Sequence, residues 1–144
     1  MIRPAHRSDV ADIRDLYHRT GRPRRPTVRF TEYIVAFEGR QLVGCAAVRP
    51  VGNGGYLYGL CVHTDWRRRG IGSALTRARL DRVALDGCGP AVALAMFWNV
   101  RFFRSVGFML VRRDRLPSIW RRVSDLRNPT YRRSAVMWRD PYPE

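Results

Sequence analysis

Lysine is missing from this 144-residue chain, so all 27 of its basic side chains are arginine. With 12 acidic residues the formal net charge is +15, which invites a nucleic-acid or acidic-partner reading. The arginines are spread along the chain, however, and wholesale arginine-for-lysine usage is what a GC-rich genome produces. Codon bias plus solubility is therefore the preferred explanation, and nucleic-acid binding the less favoured one. Long hydrophobic runs are also lacking. The longest, over residues 91–98, is far too short to span a bilayer, and no extended apolar stretch follows Met1-Ile2-Arg3-Pro4, so neither membrane association nor a signal peptide is expected. Cysteine is sparse: Cys45, Cys61 and Cys88 are an odd number without metal-ligand spacing. That argues for free thiols, no structural metal and a reducing, cytoplasmic setting. Length, finally, excludes two ordinary domains, and one domain over 1–144 is expected.

What is present suffices for a packed interior, with 45% apolar and 11% aromatic residues. Ile2-Arg3-Pro4-Ala5 reads as a first strand. Ser8-Asp9 then offers a helix N-cap, and Val10, Ile13, Leu16 and Tyr17 recur at helical spacing to about residue 19. Residues 20–26 hold a glycine, two prolines and three arginines, and predict an exposed loop. Strand-like runs at 32–37 and 41–48 flank Glu38-Gly39-Arg40, a hairpin; after a glycine-rich turn at 50–55, residues 56–62 form another strand. Ile71, Ala74, Leu75, Ala78, Arg82 and Leu85 then share one helical face, ended by Gly87. A buried strand is predicted near 91–97, a short helix at 99–106 stopped by Gly107, and strands at 108–111 and 134–138. Residues 116–133 are polar and arginine-rich, with one turn of helix expected around 119–123. The order β-α-β-β-β-α-β-α-β-β defines an α/β (α+β) chain: a single mixed, mostly antiparallel sheet of about seven strands with flanking helices.

The chemistry concentrates at Val62-His63-Thr64-Asp65-Trp66-Arg67-Arg68-Arg69-Gly70-Ile71-Gly72-Ser73, where a strand passes through a turn into a helix. A helix start presents unpaired N–H groups and partial positive charge to anions. Gly70 and Gly72 let a bulky diphosphate approach the backbone, and Arg67, Arg68 and Arg69 add charge. A glycine inside a strand, Gly59, further suggests a bulge or a close backbone approach.

Arg-x-x-Gly-x-Gly between Leu60-Cys61-Val62 and an amphipathic helix closely resembles the coenzyme-A-binding motif of the GCN5-related N-acetyltransferases. Phe102-Phe103-Arg104-Ser105-Val106-Gly107-Phe108 is similar to a second signature of that family, and the Ile2-Arg3-Pro4-Ala5 opening to a third. The resemblance implies an acyl-CoA N-acyltransferase fold, with acetyl-CoA as co-substrate and no metal. It places the pyrophosphate at Arg67, Arg68, Arg69, Gly70, Ile71, Gly72 and Ser73, and pantetheine along the backbone of Leu60, Cys61 and Val62, with Asn99 and Phe103 as further cofactor contacts. A Leu60 N–H aimed at the acetyl carbonyl would stabilise the oxyanion.

The chain departs from the family pattern at two catalytic positions. Where relatives often carry a thiolate-protonating tyrosine this chain has Phe103, which cannot donate a proton and is expected to pack in the core. Where relatives often carry a glutamate on the fourth strand this chain has Tyr58 and no carboxylate. Tyr58, Tyr56 or a water is left as proton donor. His63 is a candidate base expected to face solvent, and Cys61 a small packed residue rather than an acetylated nucleophile. The Phe102-Phe103 form followed by Arg113-Asp114-Arg115-Leu116-Pro117 resembles the N-acetylglutamate-synthase-like branch. The implied acceptor is a small primary amine, with the arginines of 21–30 and 116–133 suggesting a carboxylate or phosphate on it. Acetylation of a protein or RNA-borne amine, or a basic nucleic-acid-binding module without chemistry, are the alternatives. The expected assembly is a monomer or homodimer.

Overall fold

Seven strands and four α-helices are connected by short 3-10 turns in the computed structural model, which describes residues 1–21 and 27–141. The strands are β1 (Ile2–Pro4), β2 (Tyr33–Glu38), β3 (Gln41–Val51), β4 (Gly54–Val62), β5 (Ala91–Ala95), β6 (Met109–Val111) and β7 (Ala135–Arg139). The helices are α1 (Val10–Arg19), α2 (Ile71–Asp86), α3 (Val100–Ser105) and α4 (Ser124–Arg127). The sheet order is β1-β2-β3-β4-β5-β7-β6. β4 and β5 run parallel, while β1 with β2, β2 with β3, β5 with β7 and β6 with β7 are antiparallel. This is the mixed, mostly antiparallel sheet with flanking helices that the sequence predicts. The arginine- and proline-rich loop expected at 20–26 lies largely outside the described residues, as does the middle of the proposed acceptor loop at 21–30. Among the described residues no helix is long and apolar enough to cross a membrane.

The chain divides into two compact units, the first comprising Met1–Val48 and Gly59–Asp81. Its helix α1 buries Ile13, Leu16 and Tyr17, one face at i, i+3, i+4. Asp9 precedes α1 but does not cap it with its side chain. The carboxylate instead accepts from the His6 N–H at 2.7 Å and pairs with Arg3 at 2.8 and 3.1 Å, tying β1 to the helix entry. On the sheet, Ile34, Ala36, Val43 and Ala46 form a core with Leu75 of α2, against which Leu60, Trp66, Ile71 and Ala78 pack. Gly44 decides how closely α2 approaches: a Cβ there would stand 3.0 Å from Ile71 Cγ2 and 3.1 Å from Leu75 Cδ1. A side chain at this point would press on Ile71 and Leu75, the residues that seat the first turns of α2 on the sheet.

The second unit comprises Arg49–Tyr58 and Arg82–Glu144. Its core is Val51, Tyr56, Val92, Trp120, Val123, Leu126 and Val136. The segment 116–133 therefore covers the sheet with apolar side chains: Trp120, Val123 and Leu126 are buried, carried by a 3-10 stretch (Ser118–Arg122) and by α4. Arg113 fastens this segment by donating to the main-chain oxygens of Leu126 (3.4 Å), Tyr131 (2.9 Å) and Ser134 (3.1 Å). Next to Leu126, Asp125 accepts from the Tyr56 hydroxyl at 3.0 Å.

The second half of α2 corrects the sequence reading. Leu85, placed on the buried face by periodicity, is 87% exposed, whereas Leu75, Thr76, Arg79 and Val83 are buried. The buried face carries the polar Thr76 and Arg79, which the apolar period passes over.

Candidate functional site

β4 changes character at Gly59, whose φ of +72° lies in the left-handed region that favours glycine. A second constraint selects glycine here as well, since a Cβ would come within 2.7 Å of the Tyr17 hydroxyl and 3.3 Å of the Tyr33 hydroxyl. The Gly59 carbonyl turns into this buried cage. It accepts from the Tyr17 hydroxyl at 2.5 Å, and the Cys45 thiol lies 3.8 Å away. The Tyr17 and Tyr33 hydroxyls are 3.1 Å apart. Because the single Tyr17 proton is engaged with Gly59, the bond between the tyrosines is donated by Tyr33. Burial pushes the Tyr17 pKa far above the ordinary tyrosine value, so this hydroxyl stays protonated and acts as a donor. The register of β4 with β5 runs from Gly55↔Ala91 to Leu57↔Ala93, ending before the Gly59 irregularity.

Beyond Gly59 the side chains alternate as a pleat requires. Cys61 is 1% exposed with its Sγ 3.1 Å from the Thr20 hydroxyl, so the thiol is a packed, hydrogen-bonded group. Leu60 and Val62 point the other way: a Cβ built on Gly72, in the first turn of α2, would lie 4.0 Å from a terminal methyl of each. The end of β4 and the start of α2 are thus neighbours within the first unit.

The connection between them is pinned at several points. His63 is bonded through its N–H to the Val43 carbonyl at 2.8 Å, and its Nδ1 accepts from the Asp65 N–H at 3.1 Å, capping the 3-10 turn Thr64–Trp66. Its side chain is 17% exposed, so the solvent-facing orientation expected of it is not found; capping the turn folds the imidazole down. Arg67 Nε donates to the Val62 carbonyl at 3.2 Å, and the Arg69 guanidinium lies 4.7 Å from the centre of the Trp66 ring. Arg68 and Gly70 both have positive φ, +65° and +81°, and both are exposed. Arg68 is the costlier of the two, since a side chain at positive φ is strained by on the order of 1 kcal/mol.

The first intrahelical bond of α2 is Ala74 N–H to the Gly70 carbonyl at 3.0 Å. The N–H groups of Ile71, Gly72 and Ser73 precede it and have no acceptor within the helix. Nothing stands within 4 Å of a Cβ at Gly70, and nothing nearer than 4.0 Å at Gly72. Glycine at these two places is thus not demanded by packing within the protein, which leaves space outside the helix start. A cluster of N–H groups, a macrodipole of 16 residues and three exposed arginines fit a diphosphate.

The remaining candidates lie in the second unit. The Tyr58 ring is stacked on Tyr56, with centroids 5.8 Å apart and planes 9° from parallel, and the Arg49 guanidinium lies 5.0 Å from its centre. Asn99 is exposed at the end of a 3-10 turn (Phe97–Asn99), immediately before α3. Phe103 is 7% exposed and packs edge-on against Phe102 and Phe108, at 5.4 and 5.2 Å. A cavity of about 420 Å³ is lined by Arg113, Asp114, Leu116, Trp120, Arg121, Leu126 and Arg127, so two arginines of the 116–133 segment share it with a carboxylate. Among the described residues no group of His, Cys, Asp and Glu is arranged to hold a metal ion.

A family model for the acetyltransferase (GNAT) family matches residues 5–108. The chain belongs to that family. Among solved structures, N-acetylglutamate synthase from Neisseria gonorrhoeae, complexed with coenzyme A and L-arginine, is 25% identical with a TM-score of 0.79. That match covers 97% of this chain and 32% of the synthase, so the GNAT chain described here spans about a third of that protein. It supports the N-acetylglutamate-synthase-like branch. Rv2747 from Mycobacterium tuberculosis, solved in complex with CoA, is 18% identical with a TM-score of 0.82, and the match covers 97% and 98% of the two chains. The ribosomal-protein-S18-alanine N-acetyltransferase of Escherichia coli is 17% identical with a TM-score of 0.73, over 100% of this chain and 95% of that one. Among curated proteins none matches this GNAT sequence.

Sequence reasoning identified the glycines and arginines of the helix start and the irregularity at Gly59. It missed Tyr17, Tyr33 and Cys45, which surround Gly59, and the buried Arg79, which bonds the Ala47 carbonyl. Tyr17 stood on the buried face of a predicted helix, but its hydroxyl gave no sign of a partner 42 residues away.

Proposed function

We propose that the protein is an acetyl-CoA-dependent N-acetyltransferase that moves the acetyl group to the primary amine of a small molecule or amino acid by direct attack in a ternary complex. The observation that carries this reading is the adjacency, within one unit, of the Gly59 irregularity and the glycine-lined start of α2. The backbone N–H groups of Ile71, Gly72 and Ser73, with Arg67, Arg68 and Arg69, would hold the pyrophosphate. The backbone of Leu60, Cys61 and Val62 would hold the pantetheine arm. Neighbours solved with coenzyme A support this choice of co-substrate.

The chemistry asked of the side chains is small. A neutral amine attacks the acetyl carbonyl, the C–N bond forms, the C–S bond breaks, and the amine proton passes to water. The Leu60 N–H stabilises the oxyanion in between. Phe103 cannot protonate the departing thiolate, but a thiol of ordinary pKa near 8.5 leaves readily at neutral pH without it. Tyr58, two residues before Leu60 in β4, is the candidate for ordering that water. The bulk of the rate enhancement is therefore assigned to positioning and to the oxyanion donor.

An amino-acid acceptor is favoured by the likeness to N-acetylglutamate synthase, and the arginines of 116–133 support an acceptor bearing a carboxylate. Thiol release from acetyl-CoA, measured across a panel of amines, amino acids, peptides and tRNA, tests the reading. An anionic amino acid is expected to stimulate release most. Acetyl-CoA at about 100 times its dissociation constant should also add roughly 2.7 kcal/mol to stability. No thermal shift with acetyl-CoA would overturn the cofactor assignment, and binding without stimulated release would overturn the enzymatic one.

A further inference from the structure

The peptide joining Gly59 to Leu60 has its carbonyl locked into a buried cage, and this fixes the direction of the N–H on its other side. No peptide bond among the described residues is cis, and in a planar trans peptide C=O and N–H point in opposite directions. The Gly59 oxygen is drawn toward α1 by the Tyr17 hydroxyl at 2.5 Å, with the Cys45 thiol 3.8 Å off. The Leu60 N–H must then point away from α1. At φ +72° the backbone of Gly59 lies outside the ordinary strand region, so this orientation is a departure from a regular strand, held by the tyrosine.

We infer that Tyr17 is a positioning residue for the acetyl-transfer step, its hydroxyl anchoring the Gly59 carbonyl so that the Leu60 N–H is presented to the acetyl oxygen. The inference rests on the reading of Leu60 as oxyanion donor. Three features make Tyr17 suited to the task. It is 3% exposed, so water does not compete for its proton. It remains protonated across the working pH range. Its own oxygen accepts from Tyr33 at 3.1 Å, which fixes its rotor so that the proton faces Gly59. Tyr33 contributes through Tyr17, whose oxygen it bonds. The whole arrangement joins α1, β2 and β4, so the direction of one N–H is set by elements far apart in the sequence.

Tyr17→Phe keeps the ring and removes the donor, and Tyr33→Phe removes a hydroxyl from the same cage while leaving the bond to Gly59. With the acceptor identified by the thiol-release panel, Tyr17→Phe is expected to lower kcat at least about tenfold, short of the roughly 10²–10³-fold loss seen when an oxyanion donor is deleted. Its affinity for acetyl-CoA should stay within about twofold of wild type, because the pyrophosphate is held elsewhere. Tyr33→Phe should lose no more than about threefold in kcat.

Two readouts do not depend on turnover. The carbonyl stretch of ¹³C-labelled acetyl-CoA should move to lower wavenumber on binding to wild type and to Tyr33→Phe, and much less with Tyr17→Phe. In the ligand-free protein, the Leu60 amide resonance should shift in Tyr17→Phe and stay in place in Tyr33→Phe. An unmoved Leu60 resonance together with an intact carbonyl shift in Tyr17→Phe would overturn the inference, as would equal kcat losses in both variants, which would mark general loosening of the cage. A wild-type protein that binds acetyl-CoA with no carbonyl shift would instead sink Leu60 as oxyanion donor, while the Leu60 resonance would still report whether Tyr17 governs that peptide. If Tyr17→Phe fails to fold, difluorotyrosine at position 17 preserves shape and strengthens the donor. The Leu60 resonance is then expected to move, and an unchanged one overturns the inference.

Discussion

The guanidinium of Arg79 donates to the main-chain oxygen of Ala47 across 3.3 Å, from a position on α2 that is 1% exposed. A second nitrogen of the same group donates to the Thr76 hydroxyl at 2.9 Å, and that hydroxyl in turn donates to the Gly72 carbonyl in the first turn of the helix. A buried cation is thereby connected to both the sheet and the candidate phosphate cradle.

Removing it should be felt in the fold. Burial lowers the Arg79 pKa to about 10, a shift partly countered by Tyr17 and Cys45, and the group is still charged at neutral pH. Arg79→Ala leaves a cavity and removes a bond to the Ala47 carbonyl, and is expected to cost about 2–4 kcal/mol. Arg79→Met fills more of the volume and should cost less. Urea unfolding measures both, and an unaffected midpoint in the alanine variant would show that the buried cation is not structural.

Gly72→Val probes the cradle separately from the core. A Cβ at Gly72 meets protein atoms no closer than 4.0 Å. The variant should therefore unfold within about 1 kcal/mol of wild type, a cost set by β-branching in a helix. Its acetyl-CoA affinity should fall by at least about tenfold, because the branched side chain occupies the space of the phosphate. Calorimetric titration with coenzyme A decides the point; wild-type affinity would remove Gly72 from the site.

Two other glycines should differ in how much stability their substitution costs. At Gly54 a Cβ would stand 2.2 Å from the Pro90 carbonyl oxygen, which is backbone and itself accepts from Gly55. Gly54→Ala is expected to lose about 3 kcal/mol or more. At Gly70 the strain of φ +81° is the whole penalty, as no atom lies within 4 Å, so Gly70→Ala should lose about 1 kcal/mol. Thermal unfolding of the pair checks the order, and equal losses would contradict it.

Acid should weaken the first unit through Asp9. Its pKa is lowered, chiefly by the hydrogen bond from Arg3, with the His6 N–H adding to the effect against desolvation. A carboxylate whose folded pKa lies below the unfolded value stabilises the fold above the unfolded pKa, near 3.8. That contribution disappears as pH falls through the lower folded value. Asp9→Asn should flatten the dependence of stability on pH below about 4. A slope equal to wild type in that window would show that the Arg3–Asp9 pair does not couple to folding.

Much of this was written in local sequence. The element order followed from two hydrophobic periods and from punctuation by Gly39, Gly87 and Gly107, because period and turn chemistry depend on neighbours in the chain. The helix start at Gly70 and Gly72, its arginines and the suspect glycine at 59 were legible for the same reason. The 116–133 segment was not: its buried Trp120, Val123 and Leu126 are scattered among arginines, and only their common packing on Val92 and Val136 gives them a face.

The sequence by itself determined that a strand runs into a helix start bearing two glycines and three arginines, since those groups are consecutive. Tertiary structure alone decided what surrounds the strand. Tyr17, Tyr33, Cys45 and Gly59 come from α1, β2, β3 and β4. A hydroxyl finds its carbonyl only once the helix has packed on the sheet, because hydrogen-bond partners are set by distance in space and carry no signal in spacing along the chain.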